Sequence, residues 1–225
     1  MGFFHTVWAV ARKDLLMELR GKEMVSSIFI FATLTLLILN FALDMNRIDA
    51  RAAAAGAMWV AFLFAGSVTM NRSFMSEKEN DCLAALTLAP VDHAAIFFGK
   101  LAANFILMTV AEAVIVPTLI TLFNVNVMER PGWQALVILL GTLGFLTVGT
   151  LVAAMAVNLR ARELLGPLLM LPVVSPVIIA AAQASAGLVG GAPIGELAVW
   201  FQILATFDVI YLVVAWMVFE RLIED

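Results

Sequence analysis

Six long apolar stretches divide the chain: Ser26–Leu43, Ala52–Thr69, Leu101–Phe123, Trp133–Val157, Leu164–Ala186 and Ala198–Phe219. Apolar character is continuous along each stretch rather than alternating. The pattern therefore predicts helices rather than barrel strands, each near or above the roughly 20 residues that cross the hydrocarbon of a bilayer. The first two are the shortest and leave little room for tilt. Ahead of them, Phe4, Trp8, Ala11, Leu15 and Leu19 recur at three or four positions and share one face of a predicted helix, with Arg12, Lys13 and Arg20 off that face. Residues 1–25 thus read as an amphipathic helix lying on the membrane surface with Trp8 at headgroup depth, or as one packed against a partner's cytosolic domain. The expected fold is all-α integral membrane. One domain, residues 1–225, holds the N-terminal amphipathic interfacial helix and six transmembrane helices.

Composition agrees with that reading. The 225 residues are 63% hydrophobic and 13% charged, with a mean hydropathy of +1.02. A soluble domain is about half apolar and about a quarter charged. The net charge of −4 without a basic run argues against nucleic-acid binding, and a single cysteine excludes a disulfide scaffold. The first apolar stretch follows a segment of mixed charge and has no small-residue cleavage site after it, so it is expected to stay in the membrane rather than serve as a signal peptide.

Basic residues set the orientation. Arg12, Lys13, Arg20, Lys22, Arg72, Lys78, Lys100, Arg160, Arg162 and Arg221 fall on one side of the predicted spans; Arg47, Arg51 and Arg130 fall on the other. The positive-inside bias then places both termini in the cytoplasm. Gly141, Gly144 and Gly149 in the fourth span suit close helix approach. Gly166, Pro167, Pro172 and Pro176 predict a kinked or broken fifth span, and the Gly-rich stretch from Gly187 to Gly195 suggests a re-entrant or interfacial piece on the external side.

Catalytic and metal-site motifs are missing from the sequence. It contains no phosphate loop, HExxH, CxxC or GxSxG pattern, so the chain is not expected to act as an enzyme by itself, and no catalytic, cofactor-binding or metal-ligating residue is assigned. His5 and His93 read as surface residues of the cytosolic side, and Cys82 as a small packing residue. Glu112 and Asp208 are the intramembrane candidates. Of the 13 basic and 17 acidic residues they alone fall inside the apolar stretches, where an acid costs roughly 2.5–3.5 kcal/mol at the centre. Each marks either a substrate path or proton relay, or a hydrogen-bonded helix contact with Asn40, Asn104, Gln183 or Gln202. Trp59, Trp133 and Trp200 lie near the expected external ends of their spans, where aromatic belts anchor helices, although such rings also stack on flat ligands such as haem.

The connection between the second and third spans, residues 70–100, has an unusual order. Glu77, Glu79 and Asp81 precede an apolar turn of Leu83, Leu86 and Leu88 that Pro90 ends. This predicts a short amphipathic helix, negative at its N-terminal end, suited to docking in a groove of a cytosolic partner.

At this loop the sequence resembles a known family. Glu77-Lys78-Glu79, Leu83, Pro90 and Gly99-Lys100 look like the signature loop of type-2 ABC exporters, whose short coupling helix docks on the ATPase. A fuller resemblance is to the haem exporter protein B family of the cytochrome c maturation system. It is carried by Lys13-Asp14-Leu15-Leu16-Met17-Glu18-Leu19-Arg20, Asn40-Phe41-Ala42, Trp59-Val60-Ala61-Phe62-Leu63-Phe64-Ala65-Gly66 and Asn71-Arg72-Ser73-Phe74. It continues through Leu88-Ala89-Pro90-Val91-Asp92, Gly141-Thr142-Leu143-Gly144-Phe145, Arg160-Ala161-Arg162-Glu163-Leu164-Leu165 and Pro167-Leu168. Asp81 departs from the Gly more usual there. The resemblance implies a type-2 ABC exporter-like permease subunit in a bacterial inner membrane, with Glu77, Glu79, Asp81, Leu83, Leu86 and Pro90 coupling it to a separate cytosolic ABC ATPase. It further implies a second copy of the chain, a haem-handling membrane protein, a small accessory membrane protein and a periplasmic haem chaperone as partners. ATP would be bound by the ATPase, whose hydrolysis would drive haem export or release of the haem-loaded chaperone, with haem a candidate cargo and no cofactor assigned to this chain. The alternatives are a type-2 exporter subunit for another lipid or drug-like substrate, and an integral membrane enzyme using Glu112 and Asp208.

Overall fold

The computed structural model describes residues 2–21, 23–43, 49–79, 93–156 and 162–222. Among these residues the chain forms seven helices and no strand: α1 (Phe3–Gly21), α2 (Glu23–Ala42), α3 (Ala50–Glu79), α4 (His93–Phe123), α5 (Pro131–Ala156), α6 (Arg162–Val189) and α7 (Ile194–Leu222). Five of them, α3 to α7, are long and apolar enough to cross a membrane. The apolar part of α2, Ser26–Ala42, is shorter.

Local chemistry explains the helix ends. Asp49 caps α3, accepting the Arg51 backbone N–H at 3.0 Å. Asn124, with φ of 50°, takes the left-handed conformation that ends α4, and Pro131 occupies the first position of α5, where its missing N–H costs nothing. At the end of α6, Gly191 has φ of 80°; Ala192 N–H bonds Gly187 O at 2.9 Å and Gly191 N–H bonds Leu188 O at 3.2 Å. This Schellman pair reverses the chain within a few residues before α7. The expected re-entrant piece is therefore a tight turn. Nor do the prolines interrupt α6, which is one helix from Arg162 to Val189. Pro176 deprives the Pro172 carbonyl of its helical donor, and the Ser175 hydroxyl replaces it at 2.9 Å.

Packing places α3 and α5 at the centre. Of their most apolar windows 61% is buried, against 17% for α7. Ala54, Ala55, Ala61 and Ala65 let neighbours approach α3 closely, and the Trp59 and Phe62 rings meet edge to face beneath them. On α2, Ile28, Ala32 and Leu36 form the buried stripe, four residues apart, while Phe29, Ile30, Leu34, Ile38 and Phe41 face outward.

Two boundaries and one helix face differ from the sequence reading. The helix α3 continues through Glu79, because Met70–Glu79 contains no Gly or Pro and mostly good helix formers. Glu77 and Glu79 therefore stand at the C-terminal end of a long helix and do not open a short one. Likewise α4 begins at His93, well before Leu101. Asp81, Leu83, Leu86 and Pro90 lie outside the described residues. Finally, α1 is helical as expected, but its buried face is Thr6, Val10 and Ala11, while Phe4 and Trp8 are 84% and 62% exposed. It packs along α4 of its own chain, which turns Ala11 inward and splits the expected stripe.

Candidate functional site

Buried polar contacts line the bundle from the end where α1 packs to the opposite end. At the α1 end, Asp14 of α1 accepts Lys100 of α4 at 3.2 Å on one carboxylate oxygen and Lys13 at 3.2 Å on the other. Lys100 is 1% exposed. Higher on α4, the Asn104 amide donates to the Thr150 hydroxyl of α5 at 3.3 Å.

Further up, the Thr142 hydroxyl of α5 donates to Glu112 Oε1 in a short hydrogen bond. This bond sets Thr142 apart from six other span threonines. Thr35, Thr69, Thr109, Thr118, Thr121 and Thr147 each donate to the carbonyl four residues back in their own helix. Thr142 instead crosses to another helix. The expected partners of the acids are engaged elsewhere or face outward: Asn40 donates to Leu122 O at 2.9 Å, Asn104 to Thr150, and Gln183 and Gln202 are exposed.

The two α4–α5 contacts, 104 with 150 and 112 with 142, obey one antiparallel register, and Met108 and Leu146 at the matching positions between them are both fully buried. Over the eight residues separating the contacts an α-helix rises roughly 12 Å. A one-turn slip would break both bonds together. The arrangement thus specifies how α4 lies on α5, the best-attested use of polar groups in an apolar interior.

Asp208 of α7 lies on the other side of α5. It is 4% exposed, and neither carboxylate oxygen has a hydrogen-bond partner among the described residues. Its place exists because Gly144 has no side chain: a Cβ there would come within 2.5 Å of Asp208 Oδ1 and 3.3 Å of the Phe207 ring. Glu112 and Asp208 are not brought together. Thr142 and Gly144 are two positions apart on α5 and so point about 200° apart around its axis.

Towards the end of the bundle opposite α1, Trp59 Nε1 donates to Ser185 Oγ at 3.0 Å and Gln134 Nε2 donates to the same oxygen at 2.9 Å, joining α3, α5 and α6. Trp59 is 1% exposed, so it is a core residue and not a belt anchor. Trp133, 43% exposed and edge-on to Phe201 at 5.4 Å, fits the anchor role. Above this cluster, the Arg130 guanidinium donates to Ala192 O at 2.7 Å and Gly191 O at 3.2 Å, tying the α4–α5 turn to the α6–α7 turn.

No group of three or more His, Cys, Asp or Glu placed to hold a metal occurs among the described residues. A recess of about 130 Å³ between α2 and α4 is lined by apolar side chains alone, including Phe29, Leu107, Val110 and Val114; Glu112 is turned away from it towards Thr142. Chemically, then, the described interior presents helix-to-helix polar contacts. The pairs Glu112–Thr142, Asn104–Thr150 and Asp14–Lys100 were not legible as pairs beforehand, since each depends on inter-helix register. Only the opposite charges of Asp14 and Lys100, both off the expected apolar stripes, gave a signal.

Against this geometry, comparison with known proteins is specific. Residues 5–224 match the family described as CcmB protein. The chain is similar to Heme exporter protein B of Bradyrhizobium diazoefficiens, 28% identical over 185 residues that cover 81% of this chain and 82% of that protein. It is also similar to Heme exporter protein B of Rhodobacter capsulatus, 30% identical over 132 residues that cover 58% of this chain and 59% of that one.

Proposed function

The chain belongs to the CcmB protein family, and from that premise we propose that it is the membrane permease subunit of a haem exporter ABC complex serving cytochrome c maturation. The observation that carries this reading is the family match across nearly the whole chain, on a bundle of apolar helices long enough to span a bilayer. The sequence has no phosphate loop, which agrees with ATP hydrolysis by a separate subunit. In this reading α2 is the sixth crossing. The excess of Lys and Arg on one side supports an inner-membrane protein with both termini in the cytoplasm.

Its partners are a cytosolic ABC ATPase, a second copy of the chain, a haem-handling membrane protein, a small accessory membrane protein and a periplasmic haem chaperone. Haem is cargo. The ATPase acts on the segment running from the end of α3 to the start of α4, where Glu77 and Glu79 close α3 and Asp81, Leu83, Leu86 and Pro90 follow, supplying charge, an apolar face and a stop. The test is ATP turnover by the complex purified with its ATPase. Turnover should rise with haem or with the haem-loaded chaperone and fall to its basal rate without them. Turnover that ignores both, but responds to another lipid or drug-like compound, would assign the complex a different cargo.

A further inference from the structure

The helix α1 is joined in sequence to α2, yet it barely touches α2 and packs along α4. Several features make that contact specific. Gly99 of α4 brings its backbone against α1: a Cβ there would meet Val10 Cβ at 2.7 Å and Val7 O at 2.9 Å. The Phe3 and Phe98 rings meet edge to face at 6.1 Å. Ala94, Ala95, Phe97 and Lys100 of α4 are buried, so the part of α4 preceding the expected span is covered. Within this contact Lys100 meets Asp14 at 3.2 Å. The outer face of α1 shows Phe4, Trp8, Leu16 and Met17, which suits a helix resting on a lipid surface.

We propose that Asp14 and Lys100 form a positioning latch that clamps the cytosolic end of α4 to the surface helix α1. This proposal rests on the reading that the ATPase works through the connection leading into α4. A push delivered at His93 meets a helix already tied to α1, and α1 is held at the membrane surface by its own apolar face. The load then turns α4 and α1 as one body instead of fraying the first turns of α4. Asp14 acts through Lys100. Apolar packing alone would hold α1 near α4 but would tolerate sliding. An ion pair with one partner almost wholly buried favours one position, because sliding α1 along α4 carries the Asp14 carboxylate away from Lys100.

The test uses the full complex with its ATPase, carrying Asp14→Asn, Lys100→Met, or the exchange Asp14→Lys with Lys100→Asp. The readouts are complex yield, backbone hydrogen exchange across His93–Lys100, and cytochrome c maturation per assembled complex. Asp14→Asn should keep complex yield, speed exchange across His93–Lys100 by roughly tenfold as that end opens locally, and lower maturation per complex about as much. The charge exchange should restore most of both. Exchange at the unaltered rate in Asp14→Asn overturns the latch. So does a loss of yield that accounts for all lost maturation in every variant and is not rescued by the exchange. The coupling reading fails separately: a Leu83→Asp protein that retains the ATPase and normal turnover would remove it while leaving the exchange result standing.

Discussion

The bond between Glu112 and Thr142 gives a prediction of sign as well as size. Interhelical hydrogen bonds inside membranes average about 0.6 kcal/mol and reach about 1.7 kcal/mol, because separated helices find other partners. The two ways of breaking this one are not equivalent. In Glu112→Leu, Thr142 loses its acceptor but can turn to the carbonyl four residues back, as six other threonines of this protein do. The variant also sheds a buried acid, whose insertion costs roughly 2.5–3.5 kcal/mol at the centre of a span. In Thr142→Val the acid remains, 5% exposed, and loses its donor, and an orphaned buried acceptor costs about 1–3 kcal/mol. Thr142→Val should therefore destabilise the bundle more than Glu112→Leu, and adding Glu112→Leu to Thr142→Val should recover stability. A double-mutant cycle in mixed micelles, read by denaturant unfolding of the purified subunit, should give a coupling of about 0.6–1.7 kcal/mol. Function should rank differently: Glu112→Gln assembles and matures less c-type cytochrome, and Glu112→Leu matures still less. If Glu112→Leu is the less stable single variant, the bond is not the asymmetric contact described. If it matures cytochromes fully, Glu112 serves packing alone.

The remaining expectations concern coupling, topology and packing. Leu83→Asp or Leu86→Asp should release the ATPase on co-purification at matched membrane levels, since burying a Leu is worth about 1.5–3 kcal/mol; charge reversal at Glu79 should weaken the complex in a salt-dependent way. A reporter fused after Asp225 should be active in the cytoplasm, and activity confined to the periplasm would invert the topology. Gly144→Ala should destabilise the α5–α7 contact by about 1–3 kcal/mol, because the new Cβ meets Asp208 Oδ1 at 2.5 Å. Much of that loss should vanish in an Asp208→Ala background, and a full loss there would place the clash elsewhere.

The spans were legible because hydrocarbon admits only continuous apolar helix, so the apolar stretches marked α3 to α7 without knowledge of neighbours. Helix ends were not legible by the same rule. Apolarity marks where lipid stops, whereas α3 runs to Glu79 and α4 starts at His93 in segments whose helicity rests on propensity and on packing against α1. That the prolines do not break α6 was hidden for a related reason: the lost bond at Pro172 O is replaced by Ser175, a compensation visible only in three dimensions. Trp59 lies near enough to a span's end to resemble a belt residue, yet Ser185 of a neighbouring helix draws it inside.

Glu112 and Asp208 were singled out for one reason, charge within apolar sequence, and the structure separates them. A functional acid and a structural one look alike in sequence because both pay the same burial cost. What divides them is whether the surroundings answer that cost. Glu112 is answered by Thr142 in a register that Asn104 and Thr150 repeat, so its cost is offset by specifying how two helices meet. Asp208 sits against Gly144, and no described group bonds to its carboxylate. A polar group without a partner in hydrocarbon is costly, and that cost is what separates the two acids. The central helix α5 carries the contacts of both acids on opposite faces. A change in how α7 lies on α5 would therefore alter the surroundings of Asp208 without touching the α4–α5 contacts that hold Glu112.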